Sequence, residues 1–339
     1  MAPHLPIIVY YEHPDWFRPL FTELGRRGIP FTKIDAGTHH FDPASGRLAR
    51  SLPLFFNRMS PSAWKRGRAG AIFHTLHLLG HLKGLGVPCF NGYESFVYET
   101  SKSLQVSLLE RLRLPVPRTR VVNNPSILVE AARELEFPLV VKPNIGGSGA
   151  GIVRFDRLDD LALAVESGAI APGIDGVLLL QEFHRPHRGS IVRIETLEGR
   201  FLYAIRVHMG EDAGFDLCPA DICKTVDGSN LESAACPAGA AKSGLTVERF
   251  DPPPWIVEAA LRIATEARLD VGGIEYLESE RDRNIYFYDV NALSNFVAEP
   301  ARVIGFDPTA RLVDALVERA NEAEARTGAA ELASAGRIS

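Results

Sequence analysis

Residues 272–296 carry acidic and amide side chains at a spacing that suits a metal-binding hairpin, GGIEYLESERDRNIYFYDVNALSNF. If the turn is centred on Arg281–Arg283, Glu275 lies across from Asp289, and Asn291 shares the face of Asp289. Opposed carboxylates repel, so a cation is expected to neutralise them, and oxygen ligands without His or Cys favour Mg²⁺ or Mn²⁺. The hairpin alone leaves an alternative open, in which Glu275 faces solvent and the other two residues end a strand.

A second segment, FPLVVKPNIGGSGAGIV at residues 137–153, places Lys142 at the end of an apolar strand and before a glycine-rich loop. Walker A is excluded because Lys142 precedes the glycines, and the dinucleotide fingerprint fails because Ile152 replaces its third glycine. Glycines let backbone amides approach phosphates closely. We therefore predict that Lys142, Lys102 near a helix start, and the loop bind nucleotide phosphates; as single residues, both lysines also suit a solvated surface. The loop residues concerned are Gly146, Gly147, Ser148 and Gly149.

Two further positions are candidates for ligand binding. The strand LLLQEF ends at Gln181, Glu182 and Phe183, whose backbone groups are predicted to meet an adenine edge; an ordinary strand end is the alternative. Arg58 follows the third apolar run of an α/β pattern, and ligands bind beyond the carboxyl ends of such strands. It is a candidate for binding a substrate carboxylate, with a solvated loop arginine as the alternative.

The composition is that of a globular protein. The chain has 339 residues, 46% hydrophobic and 23% charged, which suits two or three compact units. A formal net charge of -5 provides no basic field, so we expect no nucleic-acid and no membrane partner. Four cysteines without a C-x-x-C pair indicate a reducing compartment, and the N-terminus suits a first strand better than a signal peptide. We predict a cytoplasmic protein and leave a homo-oligomer open.

Alternating apolar runs and helical patterns predict the organisation of the chain. Residues 1–98 show the strand–helix rhythm of an α/β unit around a parallel sheet. Residues 99–186 predict a small α+β unit with helices over Ile127–Leu135 and Leu158–Glu166, and residues 187–320 predict a second α+β unit built on two hairpins. Residues 321–339 are expected to form a frayed tail.

Three other features receive structural interpretations or stay open. His74, His77 and His81 share a helix face opposite apolar residues, so we expect them to face solvent rather than a metal. Cys218, Cys223 and Cys236 match no zinc-ligand spacing. The stretch 209–245 is rich in small residues and is predicted to cover the site as a lid, or else to be a loosely packed insertion.

Taken in order over residues 98–320, the motifs resemble the ATP-grasp superfamily and most closely its RimK-like carboxylate–amine ligases. The order is a helix with Lys102, VVKP with the glycine loop, QEF, strands with Arg193 and Arg206, then GGIEYL and YDVNA. The family more often has Asp and then Glu-x-Asn at the metal positions, whereas this chain has Glu275 and then Asp289-x-Asn291. The exchange preserves charge and alters side-chain length.

The resemblance implies an ATP-grasp fold, α/β and α+β, in which an N-terminal α/β pre-ATP-grasp domain precedes two α+β subdomains that clamp ATP. It also implies residue roles: Lys102 and Lys142 on phosphates, Gln181, Glu182 and Phe183 at the adenine, Glu275, Asp289 and Asn291 on two Mg²⁺ ions, and Arg193 and Arg206 as catalytic residues.

The implied activity is that of an ATP-dependent carboxylate–amine or peptide ligase that forms an acyl-phosphate and releases ADP and phosphate. Its substrates would be small carboxylates and amines, with amino acids or peptides among the candidates. A small-molecule kinase of the same fold is an alternative, although Lys65, Arg66 and Arg68 are the only dense basic patch in the sequence. A non-catalytic ATP-binding protein is the other, against which the intact metal triad argues.

Overall fold

The computed structural model describes residues 3–4, 6–13, 15–44, 54–147, 149–209 and 246–335. Ser148, the predicted lid beyond Met209, and Cys218, Cys223 and Cys236 lie outside the described residues. In the described part of the chain the strands form three sheets. None of the described helices combines the length and the apolarity that crossing a bilayer requires.

The first sheet is parallel, as the strand–helix rhythm predicted. Its strands are β1 (Ile7–Tyr11), β2 (Phe31–Asp35), β3 (Phe55–Arg58) and β4 (Cys89–Phe90), in the order β2-β1-β3-β4. Helices α1 (Arg18–Arg26) and α2 (Ala69–Gly84) accompany it, and a 3-10 helix spans Pro61–Arg66. Strand β1 is apolar on both sides because Ile7 and Val9 face one core and Ile8 and Tyr10 face another.

The second sheet is antiparallel and follows α3 (Tyr93–Glu99) and α4 (Lys102–Arg111). Its strands are β5 (Thr119–Val122), β6 (Leu139–Pro143), β7 (Val153–Phe155) and β8 (Leu178–Glu182), in the order β5-β8-β6-β7. Helices α5 (Leu128–Ala132) and α6 (Leu158–Glu166) cover one face. The helix predicted over 127–135 is shorter, because Asn124 caps a 3-10 turn over Pro125–Ile127 ahead of it.

The third sheet is antiparallel and contains both predicted hairpins. Its strands are β9 (Pro186–Leu197), β10 (Arg200–His208), β11 (Thr246–Arg249), β12 (Val271–Ser279) and β13 (Ile285–Asn291), in the order β11-β10-β9-β12-β13. Helix α7 (Pro254–Glu266) packs on the face that carries Val192, Ile194 and Ile274. The opposite face carries Ile191, Ile205 and Leu277, and the segment after β13 covers it.

The end of the chain corrects one expectation. After the short helix α8 (Pro300–Val303), helix α9 runs over Pro308–Ala335 and so continues past residue 321, where a frayed tail was predicted. Its apolar positions Leu312, Val313, Leu316 and Ala320 pack into the core beneath the first sheet, and Ala323 is buried one turn further on. Small residues on a buried stripe thus extend the packed part of this helix as far as Ala323.

The histidines of α2 differ from the prediction. His77 is exposed, but His74 lies 3.2 Å from His39 between ring nitrogens, and His81 stacks on Phe41. The segment after β2 therefore covers a helix face that the sequence assigned to solvent. Burial lowers the pKa values of His39 and His74, which keeps this contact neutral near physiological pH.

Asn91 joins the first sheet to the third. Its side chain donates to the carbonyl oxygens of Val271 and Ala292, at 2.8 and 2.6 Å, and accepts from the amides of Asp270 and Val271. The residue is 1% exposed and has a φ of 52°, a conformation that asparagine tolerates better than most residues. These bonds fix the position of β12 and of the chain after β13 relative to the first sheet.

Candidate active site between two sheets

The carboxylates of the predicted metal hairpin meet as the sequence predicted. Glu275 on β12 pairs directly with Asp289 on β13, and Asn291 donates to Asp289 over 3.0 Å. Strand alternation directs all three toward the face of the third sheet that α7 does not cover. The structure thus brings together the three oxygen-bearing side chains.

Protein cations neutralise this pair, which corrects the argument that a metal is needed to relieve its repulsion. Arg193, across from Glu275 on β9, donates to it over 2.8 Å and to Glu195 over 2.6 Å. Lys102 contacts Asp289 from the start of α4. Burial raises the pKa of Glu275, although the charge of Arg193 opposes this shift. Burial also acts to raise the pKa of Asp289, but the charge of Lys102 outweighs it and holds that pKa below its usual range.

Lys142 comes from the second sheet and completes the charge cluster. Val141 faces the helix-covered core of that sheet, so alternation turns Lys142 to the other face. Its ammonium donates to Gln181 over 2.7 Å. Burial, with the nearby charge of Lys102 added, lowers the pKa of Lys142 to about 7. A buried lysine in this state gains its full charge when an anion arrives beside it.

The glycine loop packs closely against the first sheet's 3-10 helix. A β-carbon on Gly147 would lie 2.8 Å from the β-carbon of Ser62, so a larger residue would force the loop away. Asn144 ties the loop to α4, because its carbonyl oxygen accepts from the amide of Lys102 and its side chain accepts from the amide of Ser103. The loop and both lysines are thereby held in one arrangement.

Sequence reasoning missed Glu99, which ends α3. Its carboxylate is buried and accepts from the backbone amides of Ala292 and Leu293, directly after the metal hairpin. Burial raises its pKa to about 7, opposed by these two amides. Glu99 positions the chain that follows Asn291. No motif marks it, because its partners are backbone groups almost two hundred residues away in the chain.

Arg206 is not brought to this cluster, which corrects its prediction as a catalytic residue. It pairs with Val192, while Ile205 pairs with Arg193, so Arg206 lies on the opposite face of the sheet. There its guanidinium stacks 4.0 Å from the ring of Phe250. Arg193 is the arginine that the structure places beside the carboxylates.

The strand end at Gln181–Phe183 lies beside Lys142, but its amides are in use. Glu182 donates its backbone amide to Arg118, and Phe183 donates to the carbonyl of Pro138 over 2.8 Å. The carboxylate of Glu182 accepts from the amide of Glu136. The backbone amides of Glu182 and Phe183 are therefore not available to an adenine. An adenine at this strand end would have to bond to other groups of Gln181–Phe183.

Arg58 is buried, with 3% of its surface exposed, so the alternative of a solvated loop arginine is wrong. Its Nη2 donates to the carbonyl of Ser294 over 2.6 Å and to the side chain of Asn295. Among the described residues, its Nε and Nη1 have no hydrogen-bond partner. Within the described ranges, Arg58 thus bonds to the segment after the metal hairpin through Nη2 alone, and its other two nitrogens stay available.

Comparison with known proteins identifies the fold. No family model matches the chain. The ATP-grasp ligase PsnB, solved with a phosphomimetic variant of its minimal precursor, Mg and ADP, superposes with a TM-score of 0.64 at 18% identity, over 94% of this chain and all of that chain. This chain has the ATP-grasp fold. A RimK domain ATP-grasp protein from Sphaerobacter thermophilus superposes with a TM-score of 0.60 at 16% identity, over 93% of this chain and 98% of that one.

A sequence relative agrees with the resemblance that the motifs indicated. The D-alanine–D-alanine ligase of Laribacter hongkongensis is 29% identical over 175 residues, which cover 51% of this chain and 53% of that ligase. The match thus spans about half the length of that relative.

The oxygen donors suit a hard divalent cation. Two carboxylates and the amide of Asn291 share one face, and no group of three or more His, Cys, Asp or Glu within the described ranges surrounds a metal position. A cation here would therefore need phosphate oxygens to complete its ligands, which is typical of Mg²⁺ with a nucleotide. Its binding would displace Lys102 from Asp289.

We predict that the affinity for ATP falls as the pH rises through about 7, the pKa of Lys142 in the free protein. A bound phosphate would raise that pKa, so binding above it must take up a proton, and the cost of protonation grows with pH. Calorimetric titration in buffers of different ionisation enthalpy would measure the uptake. Lys142→Arg stays charged and should lose this part of the pH dependence. Equal slopes in both proteins would contradict the assignment.

We predict that Asp289→Asn destabilises the protein by about 1–3 kcal/mol, since it leaves Lys102 without its carboxylate and next to Lys142. Each side chain of the pair is about one-fifth exposed, with 20% and 19% accessible, so the loss should stay below that of a fully buried pair. Chemical unfolding measures it.

The surface pair of Arg154 and Asp156 supplies the control, and Asp156→Asn should cost well under 1 kcal/mol. Adding Lys102→Met to Asp289→Asn should recover part of the loss, because the unpaired charge is removed. An Asp289→Asn protein at least as stable as the wild type would mean that relief of carboxylate repulsion offsets the loss of the pair, and it would contradict the prediction.

Proposed function

We propose that this chain is an ATP-dependent carboxylate–amine ligase. The observation that carries the proposal is the meeting of Lys102, Lys142 and the pair Glu275–Asp289 between two sheets of an ATP-grasp fold. Two cations suit the phosphates of a nucleotide, and two carboxylates suit the cation that accompanies it. The similarity to D-alanine–D-alanine ligase and to PsnB supports the same class of reaction.

The proposed nucleotide site extends from Gln181–Phe183, for the adenine, to the lysines and the glycine loop, for the phosphates. Glu275, Asp289 and Asn291 would hold Mg²⁺ or Mn²⁺, and we propose two ions. When bound, these ions supply neutralisation of the charge on the transferred phosphoryl group. Lys102 would release Asp289 and pair with a phosphate oxygen, which replaces one ion pair by another at the same place.

The proposed reaction has two steps. A carboxylate oxygen of the acid attacks the γ-phosphorus of ATP, the bond to the bridging oxygen breaks, and ADP leaves. The nitrogen of the amine then attacks the acyl carbon, phosphate leaves with the bonding electrons, and the nitrogen loses a proton. We propose that Arg193 stabilises the oxyanion of the second step, which its fixed place between Glu195 and Glu275 supports.

A screen for ADP release over pairs of acids and amines, with the mass of each product, tests the proposal. Loss of water between two substrates is expected for the ligase, whereas gain of phosphate on one substrate would indicate the kinase. ATP binding without turnover over amino acids, peptides and small acids would favour the non-catalytic alternative.

Lys102→Met should lower turnover about a hundredfold or more, since it removes a cation from the transferring phosphate. Lys83→Met is the matched control, because Lys83 pairs with Glu94 on the first unit, remote from the phosphates. Equal turnover in both variants would remove Lys102 from the reaction.

A further inference from the structure

A cavity of about 690 Å³ lies between the first sheet and the segment that follows the metal hairpin. Its apolar walls include Trp16 and Phe17 before α1 and Phe296 and Val297 after β13. Arg58 also lines it. The cavity is large enough for a small organic molecule, since ligand pockets begin at about 300 Å³.

Arg58 is a buried cation that lacks a negative partner in the part of the chain described. The groups bonded to its Nη2 are a carbonyl and an amide oxygen, both neutral, and its Nε and Nη1 have no partner there. Its guanidinium lies 4.9 Å from the ring centre of Phe17 and 5.3 Å from that of Phe56. Burial lowers its pKa to about 10, which reflects the cost of a charge held in apolar surroundings.

The acidic side chains around the cavity have partners of their own. Glu23 accepts from Arg26 and Arg27, Asp15 lies 3.7 Å from Arg18, Glu299 accepts from Arg302, and Asp307 accepts from the amide of Thr309. The nearest buried carboxylates behind the cavity are also engaged, Glu195 by Arg193 and Glu99 by backbone amides. These carboxylates make no hydrogen bond to Arg58, although Glu99 and Glu195 stabilise its charge from a distance. Two guanidinium donors of Arg58, which have no partner among the described residues, are therefore left for a ligand.

The cavity adjoins the proposed reaction site. Ser294, whose carbonyl accepts from Arg58, also donates its hydroxyl to Glu195 over 2.5 Å and lies 3.5 Å from Arg193. A molecule bound against Arg58 thus needs to extend past Ser294 to reach Arg193. A substrate that is anchored in the cavity can present its reacting group there.

We propose that Arg58 binds a carboxylate that is not the one activated, so that one substrate carries a spectator carboxylate and an apolar portion. This inference rests on the proposed function and names the class of its substrate. A monoanion fits better than a phosphate, because the acidic side chains that line the cavity, and Glu99 and Glu195 near Arg58, repel a dianion more strongly. The group belongs either to a dicarboxylic acid or to an amino acid or peptide that serves as the amine.

Hexanoate and hexanamide are suitable probes, since they have nearly the same shape and differ in charge. Hexanoate should raise the unfolding temperature of the wild type and hexanamide should not. Arg58→Met should weaken the affinity for hexanoate about tenfold or more, and Arg58→Lys, which keeps the charge but loses the planar group, should weaken it less. Arg68→Met is the control, because Arg68 lies outside the cavity and bonds to Asp35.

Three results would overturn the assignment: no response of the wild type to hexanoate, an equal response to hexanamide, or an equal affinity in Arg58→Met. If Arg58→Met does not fold, Arg58→Lys replaces it. The assignment is then overturned if Arg58→Lys binds hexanoate as tightly as the wild type does and hexanamide also raises the unfolding temperature. None of these measurements needs turnover, so a failed ligase screen with intact hexanoate binding would reject the ligase and keep the carboxylate site.

Once substrates are known, the source of the carboxylate can be assigned. If Arg58→Met raises the KM of the amine substrate alone, and the decarboxylated amine is insensitive to the variant, the amine carries the group. If the KM of the acid alone rises, and its monocarboxylate analogue is insensitive, the acid carries it. A fall in kcat with both KM values unchanged would indicate a structural role for Arg58 and contradict the proposal.

Discussion

The ion pair of Lys102 and Asp289 is the contact on which the candidate site depends. It joins the start of α4 to the last strand of the third sheet, and Asn144 joins the same helix start to the glycine loop of the second sheet. The pair and Asn144 thus hold parts of two sheets that share no strand against one helix start. Because the pair is largely buried, neither charge is stable there without the other or a substitute for it.

The same reasoning connects the stability of the protein to its function. Burial lowers the pKa of Lys142 to about 7, and Arg58 retains donors without partners among the described residues. Both side chains therefore carry a free-energy cost in the absence of a ligand. Phosphate and carboxylate groups would relieve these costs on binding, which makes the ligand part of the electrostatic balance of the fold. Sites with such stored costs are common where charged ligands are bound and released.

Local periodicity predicted much of the arrangement. A turn centred on Asp282 predicted the pairing of Glu275 with Asp289, which the structure has. The strand ends beside the turn pair Glu278 with Ile285, and a β-bulge between Glu275 and Tyr276 shifts the register by one residue so that Asp289 meets Glu275. The position of Arg206 could not be predicted in this way. The turn pairs Arg200 with Leu197, and continuing that register would pair Arg206 with Ile191, on the face of Arg193. A β-bulge between Phe201 and Tyr203 shifts the register by one residue and turns Arg206 away.

Burial of Arg58 and the role of Glu99 also escaped the sequence, because both depend on the chain after Asn291 returning to the first sheet. That return is fixed by tertiary hydrogen bonds such as those of Asn91, which have no local pattern. Predictions from spacing thus succeeded for the metal hairpin, failed beyond the β-bulge of the β9–β10 hairpin, and failed where distant segments supply the partner.

A structure of the protein with Mg²⁺ and a non-hydrolysable ATP analogue tests the central claim most directly. The account predicts that the ammonium of Lys102 leaves Asp289 for a phosphate oxygen, that Lys142 contacts a phosphate, and that Asp289 faces the metal. A nucleotide bound elsewhere, or bound between the sheets with the Lys102–Asp289 pair unchanged, would contradict it.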